Sequence, residues 1–134
     1  MHNRLKLINE TPDCLFISIH QNSYPYPNNT GTQVFYSPNH PESQALAAAI
    51  QQSVIHLIQP QNTRKVKKSG TEIYLLYQAK TPAVMVECGF MSNAQETEKL
   101  RTEAYQNELA LSIFYGVLSY LNGIGTADAT PAAQ

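Results

Sequence analysis

Apolar residues gather in short runs separated by polar, proline-bearing stretches. Cys14-Leu15-Phe16-Ile17-Ser18-Ile19 is almost wholly apolar, rich in β-formers and bounded by Pro12-Asp13, which predicts a buried, parallel strand. Gln33 to Tyr36 predicts a short strand, and Ile73 to Tyr77 another. Pro82-Ala83-Val84-Met85-Val86-Glu87 repeats the buried-strand pattern and ends on a carboxylate. Helical spacing appears elsewhere. Leu46, Ile50, Val54 and Leu57 form one stripe between Pro41 and Ile58, and Tyr105, Leu109, Ile113, Val117 and Tyr120 form another between Glu103 and Leu121. Leu5 and Ile8 mark the tail of a helix over Arg4 to Glu10, stopped by Pro12. Ser92 and Asn93 can cap a short helix, with Gln95 and Glu96 placed to return the bond as in a capping box. Gly123 terminates the last helix.

Strands alternating with helices imply an α/β fold, a mostly parallel twisted sheet with helices on both faces. Residues 1–122 read as one domain, and 123–134, small and polar, as a disordered tail. Gln21 to Thr32 is dense in Asn, Pro, Tyr and Gly and predicts a long loop, the kind that in compact domains carries function. Residues 60–72 predict a polar loop with Arg64, Lys65, Lys67 and Lys68.

Composition narrows the classes. Of 134 residues, 43% are hydrophobic and 14% charged, as in a globular domain. A formal net charge of −1 offers no bulk attraction to nucleic acid. No apolar run reaches the roughly 18 residues of a membrane-spanning helix, and Met1-His2-Asn3-Arg4 opens without the apolar core of a signal peptide. Two cysteines, Cys14 and Cys88, make neither a disulfide framework nor a zinc knuckle.

In α/β sheets, chemistry collects at the carboxyl ends of the strands. Two strands here end on suitable groups, one on His20 and the other on Glu87. A strand-end histidine serves as a hydrogen-bonded structural residue more often than as a metal ligand. A strand-end glutamate can simply face solvent. A partly buried one, beside a cation or metal, suits acid–base chemistry. His40 reads as a cap before its proline, and His56 as a solvated side chain off its helix's stripe.

Leu15-Phe16-Ile17-Ser18-Ile19-His20-Gln21-Asn22 and Pro82-Ala83-Val84-Met85-Val86-Glu87-Cys88-Gly89-Phe90-Met91-Ser92-Asn93 resemble two signature stretches of the zinc-dependent N-acetylmuramoyl-L-alanine amidases. Thr32-Gln33-Val34-Phe35-Tyr36-Ser37 and Ser43-Gln44-Ala45-Leu46-Ala47 are similar to the same family, nearest its germination-specific branch. The likeness extends to Asn122. It implies that His20 is a Zn2+ ligand, that Glu87 is the catalytic acid/base, and that Asn22 and Arg64 touch substrate. The substrate it implies is peptidoglycan, outside the cytoplasm in cell wall or spore cortex.

The chain also departs from that pattern. The family's first strand, ending in a Gly-His-Gly-Gly type motif, and the helix that follows supply two further zinc ligands; this chain contains neither, its only glycine before Gly70 being Gly31. Gln21 replaces a small residue, and Tyr77 stands where arginine is common. The implied zinc site is therefore incomplete, and weak metal binding and weak hydrolysis are expected of residues 1–134 alone. Bare apolar surface is expected too. Two rival readings stay open: a Cys88 nucleophile activated by His20, and a non-catalytic module that binds peptidoglycan, with Arg64 to Lys68 meeting stem-peptide carboxylates.

Overall fold

A computed structural model describes residues 1–123. In chain order the elements are α1 (His2–Glu10), β1 (Phe16–Asn22), β2 (Gln33–Tyr36), α2 (Ser43–Leu57), β3 (Lys67–Lys68), α3 (Tyr74–Gln78), β4 (Ala83–Phe90), α4 (Ala94–Leu100) and α5 (Glu103–Leu121). The four strands form one sheet in the order β1-β4-β2-β3. Strand β1 runs parallel to β4 and β2 parallel to β3, whereas β2 is antiparallel to β4. The sheet is thus mixed, mostly parallel by pairing, with one antiparallel ladder through its middle.

Alternation along β4 builds both layers, since successive side chains point to opposite faces. Val84, Val86 and Cys88 pack with Leu46, Ile50 and Val54 of α2 and with Leu109 and Ile113 of α5. Ala83 and Met85 pack the other way, with Ile8 of α1 and Leu76 of α3. Helices therefore cover both faces, as the pattern implied. Leu57 departs from its stripe: at the last turn of α2 it is exposed.

Helices α2 and α5 approach closely because small residues line their contact. Gly116 of α5 lies against Ala49 and Ile50, and Ser53 donates a 2.7 Å hydrogen bond to the Ser112 carbonyl. A Cβ at Gly116 would stand 2.5 Å from the Ile50 Cα and 3.0 Å from the Ala49 carbonyl oxygen.

Several elements depart from the expected bounds, and the polar loop expected over residues 60–72 contains the two-residue strand β3. Both buried strands start later and end later than their apolar runs, so His20 lies within β1 and Glu87 within β4 rather than at their ends. Backbone pairing, not apolarity, sets where a strand stops. Tyr74–Gln78 is helical, not the strand its β-forming residues suggested. Leu76 must be buried against the sheet face, and the Leu76, Gln78 and Ala79 carbonyls find side-chain donors in Ser37, Asn9 and Asn39. Tertiary packing and end-capping outweigh a weak local propensity. The expectation for the 123–134 tail lies, apart from Gly123, outside the described residues.

Strand β1 lies at one end of the sheet, and its outer edge has no strand partner among the described residues. Ile19 at that edge is 58% exposed, and Leu111, Phe114, Tyr115 and Leu118 leave an apolar stripe on the outer side of α5.

Candidate active site

Register decides which side chains meet. In the β1–β4 ladder His20 pairs with Glu87, and in the β4–β2 ladder Gln33 pairs with Glu87. Neighbouring strands lie about 4.8 Å apart, and paired residues share a sheet face. His20, Glu87 and Gln33 thus form a row across three strands. They lie on the face that carries Met85 and Phe35, beyond the end of its apolar cluster. His20 and Glu87 are thus direct neighbours across the β1–β4 ladder, near the carboxyl ends of both strands.

Glu87 is the one residue of β4 that is not fully buried. Its Oε2 is nonetheless shielded from solvent and has no hydrogen-bond partner. Burial pushes its carboxyl above the usual carboxylate range, and the neighbouring His20 charge pulls it part of the way back. His20 itself is exposed. A half-buried carboxyl with a raised pKa and a free oxygen can hold a proton and return it.

Immediately after Glu87, β4 bulges. From His20 to Asn22 the partner strand advances two residues, while β4 advances from Glu87 to Phe90. The extra residue re-aims the chain next to the carboxylate, a common role of bulges beside active sites. Gly89 sits in this bulge because a Cβ there would come within 2.9 Å of the Glu96 carboxylate. That carboxylate accepts hydrogen bonds from the Gly31 and Phe90 amides, each at 2.8 Å. The expected capping box is therefore only half formed. Asn93 caps α4 through the Gln95 and Glu96 amides, but Glu96 turns away and pins the long loop to the end of β4. Asn22 closes β1, its carbonyl accepting from the Met91 amide at 2.7 Å.

Side-chain amides satisfy the backbone where the long loop enters β2. The Thr32 and Val34 amides donate to Gln59 and Gln51, both at 2.9 Å, and Asn62 donates to the Thr32 carbonyl. The Thr32 hydroxyl reaches the Cys88 carbonyl, and Gln59 also donates to the Tyr105 hydroxyl. Sequence reasoning missed this network. Its members are ordinary polar residues whose only signal was location on otherwise buried elements.

Arg64 lies beyond Gln33. Its guanidinium stacks over the Phe90 ring at 4.5 Å, its Nε donates to the Thr30 carbonyl at 2.6 Å, and one Nη reaches the Gln33 side-chain oxygen at 3.4 Å. His40 accepts from the Glu42 amide as a local cap, and His56 is exposed; neither approaches the row.

Cys88 is removed from contention as a nucleophile paired with His20. Strand alternation turns it to the α2/α5 face, where it is 4% exposed. Burial, reinforced by the Glu87 charge, pushes its thiol up to about 11, the reverse of what thiolate chemistry requires. Cys14 and Cys88 are both free thiols.

Among the described residues the donor set for zinc is incomplete. His20 offers one imidazole and Glu87 one carboxylate, and no group of three His, Cys, Asp or Glu side chains able to hold an ion occurs among the described residues. A catalytic zinc takes three protein ligands. The orphaned Glu87 Oε2 suits a cationic neighbour, but the residues present do not by themselves make a metal centre.

The N-acetylmuramoyl-L-alanine amidase family model matches residues 1–119. The germination-specific N-acetylmuramoyl-L-alanine amidase of Bacillus subtilis is 35% identical over 125 residues, covering 93% of this chain and 52% of that protein. Among solved structures, the CwlD amidase from Clostridioides difficile, in complex with the GerS lipoprotein, superposes with a TM-score of 0.86 at 34% identity, over 91% of this chain and 61% of that one. The amidase AmiC2 of Nostoc punctiforme gives 0.81 at 28% identity, over 91% of this chain and 66% of that one. The chain thus spans about half the length of the Bacillus relative.

Proposed function

Since the chain belongs to the N-acetylmuramoyl-L-alanine amidase family, we propose that it forms the acid–base half of a peptidoglycan amidase active site, acting outside the cytoplasm on cell wall or spore cortex. The bond cleaved is the amide between the lactyl group of muramic acid and L-alanine of the stem peptide. One observation carries the reading: His20 and Glu87 are register neighbours near the carboxyl ends of their strands, with a buried carboxylate oxygen left unpaired.

In this mechanism Glu87 takes a proton from the attacking water and delivers it to the leaving amine. Burial raises its pKa and so favours the protonated form that delivers the proton. His20 is the imidazole here that would hold a zinc ion, which when bound would supply Lewis-acid activation of the water. Gln33, held by Arg64 and by the Lys65 carbonyl, borders the carboxylate on the other side and can hydrogen-bond a substrate amide. Asn22 and Arg64 flank the row as substrate contacts.

Muropeptide digestion in enzyme excess, followed by mass spectrometry, tests the assignment. Slow appearance of stems with a free L-alanine amine is expected, and Glu87→Gln should abolish it. Cleavage of a glycosidic or peptide bond instead, or full activity in Glu87→Gln, would sink it. A second reading, a peptidoglycan-binding module without catalysis, is favoured by the incomplete donor set. Retention on purified sacculi with no stems released would select it.

A further inference from the structure

Arg64 is the one half-buried cation at the rim, and it is held without an anion. Three contacts fix its guanidinium: the face of Phe90, the Thr30 carbonyl and the Gln33 side-chain oxygen. All of these are neutral. Among the described residues the one ion pair lies elsewhere, between Arg101 and Glu98 on the exposed surface of α4. The loop around Arg64 is itself tied down, its amide donating to the Asn62 side chain at 2.9 Å. A guanidinium pinned at Nε and one Nη keeps its remaining N–H groups in a fixed direction. Such a fork suits a carboxylate, and little ordering entropy remains to be lost on binding.

The fork borders a groove of about 430 Å³ lined by Asn28, Asn29, Gln33, Asn62, Thr63 and Arg64 among others. Side-chain amides dominate the lining, and no carboxylate occurs in it. Amides both donate to and accept from a peptide backbone, while the single charge selects an anion. The groove joins the catalytic row through Gln33, the register neighbour of Glu87. One strand spacing of about 4.8 Å and the length of a glutamine side chain put the fork on the order of 10 Å from the Glu87 carboxylate. An extended peptide covers that in two or three residues, at about 3.3 Å each.

We propose that Arg64 and this amide-lined groove form the subsite for the stem peptide, with the guanidinium binding a free carboxylate two or three residues beyond the scissile amide. The inference rests on the amidase reading and adds the direction in which the peptide leaves the site. The glycan moiety then lies on the His20 side of the row.

Calorimetric titration with soluble muramyl peptides provides the test, using stems with free carboxylates and the same stems with those carboxylates amidated. The wild-type chain should bind the free-acid stem about tenfold or more tightly, as a charge-assisted hydrogen bond provides. Arg64→Gln should bind both stems equally and at the wild-type level for the amidated one. Arg64→Lys, which keeps the charge but loses the fork, should retain part of the preference, and the exposed Lys65→Gln should retain all of it. Circular dichroism verifies folding; should Arg64→Gln be unfolded, the partial loss in Arg64→Lys decides. Persistence of the preference in the Arg64 variants, or its absence in wild type, overturns the proposal. Inorganic phosphate displacing the free-acid stem at equal concentration would reassign the fork to wall-polymer phosphate and overturn it too. If wild type cleaves the lactyl–alanine bond yet shows no preference, only this inference falls. If it binds neither stem, the proposed function falls with it.

Discussion

Replacing Gly116 by alanine sets two effects of opposite sign against each other at one methyl group. Gly116 lies inside α5, where alanine is intrinsically better than glycine by about 1 kcal/mol. On propensity alone the variant should be more stable. The added Cβ, however, would sit 2.5 Å from the Ile50 Cα and 3.0 Å from the Ile50 amide nitrogen. Favourable carbon–carbon contacts lie at about 3.5–4.0 Å, so α2 and α5 must part by roughly 1 Å. The obstructing atoms are helix backbone and cannot rotate away. Overpacking of this kind costs about 1–3 kcal/mol. Because the clash is at the severe end, the net expectation is a loss of about 1–2 kcal/mol, or roughly 4–8 °C in Tm for a domain of this size. Thermal and urea unfolding would measure it. Ala110→Gly, at an exposed position of the same helix, calibrates propensity and should cost about 1 kcal/mol. A Tm for Gly116→Ala above that of wild type would refute the close-approach account of the α2–α5 seam.

Three further outcomes follow from other parts of the molecule. The 134-residue chain should bind zinc weakly, well short of one equivalent after dialysis, and His20→Ala should remove what remains; stoichiometric retention by metal analysis would contradict the incomplete donor set. Glu96→Ala, which strips the Gly31 and Phe90 amides of their acceptor, should cost roughly 2–3 kcal/mol in urea unfolding, and a neutral result would show that the loop is held otherwise. Tyr105 should ionise above the usual tyrosine range, because burial outweighs the hydrogen bond from Gln59. Its raised folded value means that the unfolded chain gives up the phenolic proton first, so stability present below about pH 10 is lost as pH rises further. Ultraviolet difference titration of wild type against Tyr105→Phe reads it directly, and an ordinary midpoint would contradict the burial.

The amino-acid sequence by itself determined the layer architecture and singled out two of the row's three groups, His20 and Glu87. Apolar runs bounded by proline and turn residues specify buried strands, and stripes at helical spacing specify α2 and α5, whose bounds at Glu103–Leu121 matched. His20 and Glu87 were legible because a titratable group closing an apolar run is anomalous in any element. What the sequence could not contain was register. That His20, Glu87 and Gln33 align is set by ladder pairing between strands far apart in the chain. The strand-like residues of α3 became helical because the sheet face needed Leu76 buried there. Glu96, placed by local rules to close a capping box, instead spans two distant amides. Cys88 lost its candidacy by alternation and burial alone. Local preferences amount to tenths of a kcal/mol per residue, whereas burying a large side chain or satisfying a buried amide is worth one or more. Where the two disagreed, the tertiary contact prevailed.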